Sequence, residues 1–320
     1  MVKIGYLIVV FTCFSLLGNA QSYAPAAGTP GTTAIHKNDP IYKAWATGIE
    51  VTRGYRNIAN PALGYAETGT PEMALGFPNG EIVSLGDKGE AILTFANPIY
   101  DGDGFDFAVF ENGSVGYLEL ALVEVSSDGI HFFGFPTHSE TQTNTQIGTF
   151  GTPSAAFLKN IAGKYEGTYG TPFDVSEVQD HPLLDKQNIT HVKVIDVVGS
   201  IDPNFGTRDS LGNLINDSYP TPFPASGFDL QAVGIINEKV LNTNTFQASK
   251  IQLYPNPARD VFHVNTPITV TVQIYDLAGR LVKTFSNAEK SYPVSDLAKG
   301  TYTVKIYEHN NSISKKLRIE

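Results

Sequence analysis

Cysteine is almost missing from this chain. Its 320 residues hold one, Cys13, inside an N-terminal apolar run that is expected to be removed. A mature chain without cysteine forms no disulfide, no thiolate metal site and no cysteine nucleophile. Tryptophan is reduced to Trp45, and charged residues make up only 17% of the chain. No Gly-x-Ser-x-Gly elbow, phosphate loop, His-Glu-x-x-His or His-x-x-x-His spacing occurs. The most recognisable routes to hydrolase, nucleotide and zinc chemistry are thereby closed.

What is abundant is glycine (30), proline (19), phenylalanine (19) and tyrosine (15). Sparse charge with many turn formers and aromatics suits an all-β protein. Charge is unevenly placed. Residues 21–249 carry 11 Lys/Arg against 26 Asp/Glu, a net of −15, whereas 250–320 carry 10 against 6, a net of +4. So acidic a body repels phosphate, so no nucleic-acid partner is expected. Acidic clusters can bind calcium, or simply keep an exported protein in solution.

The N-terminus reads as a signal peptide over 1–20. Lys3 is a positive start, Ile4 to Leu17 is apolar, and Gly18-Asn19-Ala20 is a small-residue cleavage site. The run is too short for a membrane span, so no transmembrane segment is expected in the mature chain. The body then covers 21–237. Polar, patternless residues around Asn242-Thr243-Asn244-Thr245 mark a linker over 238–249, and a second domain covers 250–320.

Short strand-like runs fill the body: Ile82 to Leu85, Glu90 to Phe95, Phe105 to Phe110, Leu118 to Val125, Val192 to Val198 and Gln231 to Ile236. Asn79-Gly80, Asp101-Gly102-Asp103-Gly104, Asn112-Gly113 and Asp128-Gly129 punctuate them as turns. The pattern predicts an all-β, jelly-roll β-sandwich body. The one helical candidate is Ile41 to Trp45, with Trp45 as a core anchor. Runs apolar on both faces, such as Phe107-Ala108-Val109-Phe110, predict central strands covered by a second sheet and by loops. Long loops at 137–190 and 199–228 are where a sandwich places binding surfaces.

The tail carries Tyr254-Pro255-Asn256-Pro257, then Val272-Gln273-Ile274-Tyr275-Asp276-Leu277-Ala278-Gly279-Arg280, then Lys299-Gly300-Thr301-Tyr302, and a basic end from Lys315 to Glu320. These blocks, in this order, resemble the C-terminal sorting domain of type IX (Por) secretion cargo in Bacteroidota. The resemblance implies a small immunoglobulin-like β-sandwich, the type IX secretion machinery as partner, and a secreted or outer-surface location. In the body, Val123 to Phe132 with its Ser126-Ser127-Asp128-Gly129 turn, Thr190 to Gly199 and Gly227 to Gly234 resemble strands of discoidin or galactose-binding-like jelly rolls. Ser84-Leu85-Gly86 and Asp106 to Asn112 also resemble a family of secreted bacterial cell-surface proteins. That likeness implies architecture and exposure more than it implies a ligand.

Three residue sets could carry chemistry. Asp101, Asp103, Asp106 and Glu111 offer hard oxygens near one turn, the donor type calcium takes, and predict a weak structural calcium site. Glu111 ends an apolar strand, so it is expected to be partly buried and to need a cation or N–H donors. A second acidic set comprises Asp196, Asp202, Asp209, Asp217 and Asp229, with Asx turns expected at Asp202 and Asp209. The third set is loop aromatics: Tyr165, Tyr169, Phe173, Phe205, Tyr219 and Phe223. Of these, Tyr165, Tyr169, Phe205 and Tyr219, with Arg208 as the one cation between Lys193 and Lys239, are expected to bind ligand on loops 160–175 and 200–228, not on sheet faces. The strands read as too apolar for a polar groove. Glu119 and Glu124 fall on opposite strand faces and do not pair for glycoside hydrolysis. The expected function is a non-catalytic binding protein for a glycan or other small polar ligand. The alternatives are a secreted polysaccharide hydrolase, a structural adhesin, or a nutrient-capture accessory, which similar proteins suggest for corrinoids.

Overall fold

The computed structural model describes residues 22–239 except 115, and 251–320 except 266–269, 287–290 and 309–310. The expected signal peptide and most of the expected linker lie outside the described residues. The chain divides into two compact units, Met1–Val240 and Leu241–Glu320.

The first unit is an all-β sandwich. One sheet runs in the order Ile35–His36, Tyr169–Phe173, Phe107–Glu111, Asp229–Ile235, Ala44–Trp45, with Val83–Ser84 also paired to Asp229–Ile235. The other runs Gly48–Thr52, Glu90–Ile99, Ile189–Asp196, Ala121–Ser126, Phe133–Gly134. All of these pairs are antiparallel. From Glu90 onward the longer strands alternate between the sheets, so connections run over the ends of the sandwich and loops collect there. Period-two alternation orients each strand. Val192 and Val194 are buried while Lys193 between them is half-exposed. Leu93, Val123, Val125, Val192 and Val194 thus meet Phe107, Val109, Phe173, Leu230 and Val233 in one core. Phe107 and Phe173 stack at 5.4 Å. Each such side chain contributes about 1.5–3 kcal/mol by leaving water.

Phe107–Glu111 is buried at every position, which explains the unbroken apolarity of Phe107 to Phe110. Its far face, Ala108 and Phe110, packs with Ala232, Tyr42 and Trp45. Trp45 lies 5.6 Å from Phe110 and 5.4 Å from Phe77, so it anchors this second layer. A Cβ at Gly234 would come within 2.8 Å of both Trp45 and Tyr42; glycine lets the indole lie on the sheet. The helix expected over Ile41 to Trp45 does not form. Ala44–Trp45 pairs with Gly234 and Ile235 as an edge strand, because docking the indole outweighs a weak local helical pattern.

The second unit is a smaller two-sheet β-sandwich. Leu253–Tyr254, Val261–Val264 and Ser291–Pro293 form one sheet. Leu281–Phe285, Thr271–Tyr275, Gly300–Glu308 and Asn311–Ile319 form the other. Phe262, Val272, Ile274, Tyr292, Val304, Ile306, Leu317 and Ile319 make its own core. Among the described residues of the chain, no helix is long and apolar enough to cross a membrane.

Candidate functional site

The expected calcium residues divide. Asp101 and Asp106 come together with Asp174, one carboxylate oxygen of each lying within 4.8 Å of the others. Asp106 is buried and already accepts from Gly102 N at 2.9 Å, Val175 N at 2.7 Å and Asn237 Nδ2 at 2.7 Å. Asp103 is exposed and outside this trio. Glu111 ends the strand that Asp106 precedes, about 16 Å away at 3.3 Å per residue, so one ion cannot bind both. The calcium expectation therefore narrows to Asp101, Asp106 and Asp174. With a Kd of about 10⁻⁴–10⁻³ M, millimolar calcium should raise the melting midpoint, and Asp174→Asn should remove the rise. A melt unchanged between calcium and a chelator excludes the ion.

Glu111 joins the second acidic set, at the loop end of the sandwich. It is 2% exposed, and its Oε2 has no hydrogen-bond partner. Asp217 is equally buried; its Oδ2 accepts from Leu120 N at 2.9 Å and its Oδ1 accepts nothing. Glu119, also buried, accepts the Tyr117 hydroxyl at 3.0 Å. Asp229 accepts the Ser84 hydroxyl. Burial first, then the nearby charge of Asp229, holds Glu111 and Glu119 well above the usual carboxyl range. Burial alone pushes Asp217 up to about 7, and pushes Asp229 up to about 6 against the Ser84 hydrogen bond and the charge of Arg53. Asp196 accepts Phe228 N at 2.7 Å and Lys88 N at 3.1 Å, and burial beside Asp87 holds it well above its ordinary value. Burial thus favours the neutral acid most strongly at Glu111, Glu119 and Asp196. An unpaired carboxylate would be too costly at such burial.

Tyr117, bonded to Glu119, begins a row of three aromatic rings. Tyr117 sits in a turn closed by paired Ser114–Tyr117 backbone bonds at 3.0 Å. Its ring lies 6.4 Å from Phe150, and Phe150 stacks on Phe223 at 5.9 Å and 23°. Phe150 is 77% exposed and Phe223 39%. The loops bearing them are pinned. Tyr219 N bonds Ile147 O at 3.1 Å, the Thr149 hydroxyl bonds Pro220 O at 2.8 Å, and Gln146 Nε2 reaches Asn216 Oδ1 at 3.1 Å. Glu67 N and Thr68 N both bond Pro224 O. Two large apolar rings are thus presented to water on a braced frame.

The five residues expected to bind ligand are not gathered. Tyr165 is 2% exposed and bonds Thr33, so it plugs the fold. Tyr169 is half-buried, with its ring edge on His36. Phe205 is half-buried, and Arg208 is exposed and donates to Gly212 O at 2.7 Å. Tyr219 donates to Asn57 at 3.1 Å and stands beside the strip. Phe223 belonged to the expected aromatic set. Tyr117 and Phe150 were not in that set, although Phe150 lies in the glycine-rich stretch Gly148 to Gly151 of the long loop at 137–190; their contact joins separate loops that no local pattern relates. The Asx turns are present: Asp202 accepts Asn204 N at 2.9 Å, and Asp209 accepts Leu211 N and Asn213 N at 2.9 Å.

Comparison with known proteins decides the tail. Residues 252–320 match the family described as the secretion system C-terminal sorting domain. The tail is a type IX sorting domain. Export through type IX secretion, to the surface or beyond, follows for the chain. No curated protein matches it. Among solved structures, PorZ, a surface component of the type IX secretion system of Porphyromonas gingivalis, is 17% identical with a TM-score of 0.21, over 28% of this chain and 14% of that one. The BSP domain of a biofilm-associated protein is 12% identical with a TM-score of 0.22, over 72% and 48%. The β-glucuronidase of Ruminococcus gnavus is 12% identical with a TM-score of 0.21, over 89% and 47%. The chain spans less than half of each, and at such TM-scores these likenesses carry no argument about the body.

Proposed function

We propose that the body is a non-catalytic binding module for glycans or similar small polar ligands, carried to the cell exterior by the tail. The observation behind this is the Tyr117–Phe150–Phe223 strip. Exposed, braced rings stack on the C–H faces of sugars while neighbouring polar groups fix orientation. The alternation of strands between sheets supports a jelly-roll body. Hydrolysis is less well supported. A glycosidase needs two carboxyls flanking the scissile bond, and Glu111 and Glu119 are 2% and 4% exposed.

A glycan array with the full chain is the test. Phe150→Ala and Phe223→Ala should each weaken binding of the glycan returned by roughly 5–30-fold, the effect of losing about 1–2 kcal/mol of stacking and burial. Binding that survives both substitutions in a folded protein rejects the strip. Arg208→Ala and Tyr219→Ala in the same screen ask whether the 200–228 loop extends the surface. Parent-like binding by both confines recognition to the three rings.

A further inference from the structure

We propose that the outer face of the second sheet carries a separate carbohydrate site, a groove that seats a neutral pyranose unit. The sequence reading expected the strands to be too apolar for this. The register shows otherwise. On the outer face, Gly48, Thr94 and His191 line up across three strands, and Glu50, Ile92, Lys193 and Glu124 form the next row. A groove of about 380 Å³ is lined by Gly48, Glu50, Ile92, Thr94, Gly129 and His191, within the range of small-molecule sites, roughly 300–1,000 Å³.

Two glycines shape it. A Cβ at Gly48 would meet the Thr94 hydroxyl at 2.4 Å, and one at Gly129, where φ is +74°, would meet the His191 ring at 2.7 Å. Side chains at either position would fill the floor or push the imidazole aside. The wall beyond is fixed. Phe132 lies 6.4 Å from His191 with its ring edge-on, Lys193 sits 4.0 Å over the Phe132 ring, and Lys193 pairs with Glu124 at 3.5 Å. Lys193 is thereby engaged, so the groove offers no free cation for an acidic group. What it offers is the exposed Glu50 carboxylate, the Thr94 hydroxyl and the imidazole of His191, whose Nδ1 already meets the Thr190 hydroxyl at 2.8 Å. A carboxylate beside a hydroxyl and a ring nitrogen suits vicinal hydroxyl groups, which donate two hydrogen bonds to one carboxylate. Ile92 supplies an apolar patch for a C–H face. The body's net of −15 disfavours anionic sugars. His191 lies five residues along its strand from Asp196, about 16 Å, so this groove is distinct from the buried acid at Asp196.

The test uses the full chain with labelled histidine and a panel of methyl glycosides and linear tetrasaccharides of glucose, galactose and mannose. His191→Gln assigns the His191 imidazole resonance among the seven histidines. The expected result is a saturable shift of that resonance with at least one sugar. Glu50→Ala should weaken the response roughly 10–100-fold, the effect of losing hydrogen bonds to a charged group. Glu50→Gln should recover part of it. Phe150→Ala should leave it unchanged, so this site can stand or fall separately from the strip. No saturable shift with any sugar of the panel overturns the proposal, as does a shift that Glu50→Ala leaves intact.

Discussion

Removing Lys315 to Glu320 should abolish export and leave the body folded. Fused with residues 1–20 to a reporter, the intact 250–320 segment should carry it to the medium in a host with type IX secretion. The truncated segment should leave it in the periplasm. The reason is structural before it is chemical. The final strand pairs from Gly300↔Ile319 through Val304↔Lys315 to the hairpin. Leu317 and Ile319 are 0% and 4% exposed in the tail core. Ala258 N bonds Arg318 O at 2.8 Å, and Glu320 N bonds Ala258 O at 2.9 Å. Truncation removes two core side chains worth about 1.5–3 kcal/mol each and strips Gly300 to Val304 of their partners on that side. A unit of this size rarely holds more than about 3–5 kcal/mol in reserve, so its sandwich should unfold. The body has its own core and should keep its melting transition. Leu317→Ala and the paired Lys315→Ala/Lys316→Ala change separate shape from charge, since both lysines have side chains outside the core. A reporter retained in the periplasm despite an intact tail sinks this account.

The all-β class was legible because alternation and Asp-Gly or Asn-Gly turns are local signals. Glu90–Ile99, Ile189–Asp196 and Asp229–Ile235 fall where apolar runs predicted strands, with ends shifted by a few residues. Tyr169–Phe173 was read as loop because it contains Gly170 and Pro172. It survives as a strand since Pro172 sits opposite Ala108 in a short ladder and its ends pack Phe173 into the core. The tail was legible for another reason: its motifs are sequential, and Asp276 to Arg280 forms a turn from neighbouring groups alone, with Asp276 Oδ1 accepting Ala278 N and Arg280 N. The site was harder to read. Glu111 looked like a partner of Asp106 because they are close in sequence. The strand between them separates them, and pairing of Glu111 with Leu230 brings it to Asp229. Phe150 stacks on a ring 73 positions away, and no local pattern encodes that.

The body should be markedly more stable at pH 5 than at pH 8. Asp217, Asp229 and Asp87 titrate at about 7, 6 and 6 in the fold, against 3.8 for the free side chain, with burial as the main cause in each. A raised carboxyl pKa means the folded state holds its proton after the unfolded state has released it. Between about pH 4 and 7 the folded state therefore binds more protons, and stability falls as pH rises. This is the reverse of a salt-bridged carboxylate, whose stabilisation is lost on acidification. Of its shift from 3.8 to about 7, Asp217 alone has roughly two pH units left to lose between pH 5 and 8, or about 3 kcal/mol. At about 2–4 °C per kcal/mol for a unit of this size, that alone should lower the midpoint by about 5–10 °C. Glu111, Glu119 and Asp196 lie well above their ordinary values and steepen the slope toward pH 8. Asp217→Asn mimics the protonated acid and keeps an oxygen for Leu120 N, so it should flatten the profile and gain most at pH 8. Glu111 and Asp217 each have a buried carboxyl oxygen without a partner, and the charge of Asp217 opposes ionisation of Glu111. A midpoint that stays level or rises from pH 5 to 8 would show these acids to be ionised and paired instead.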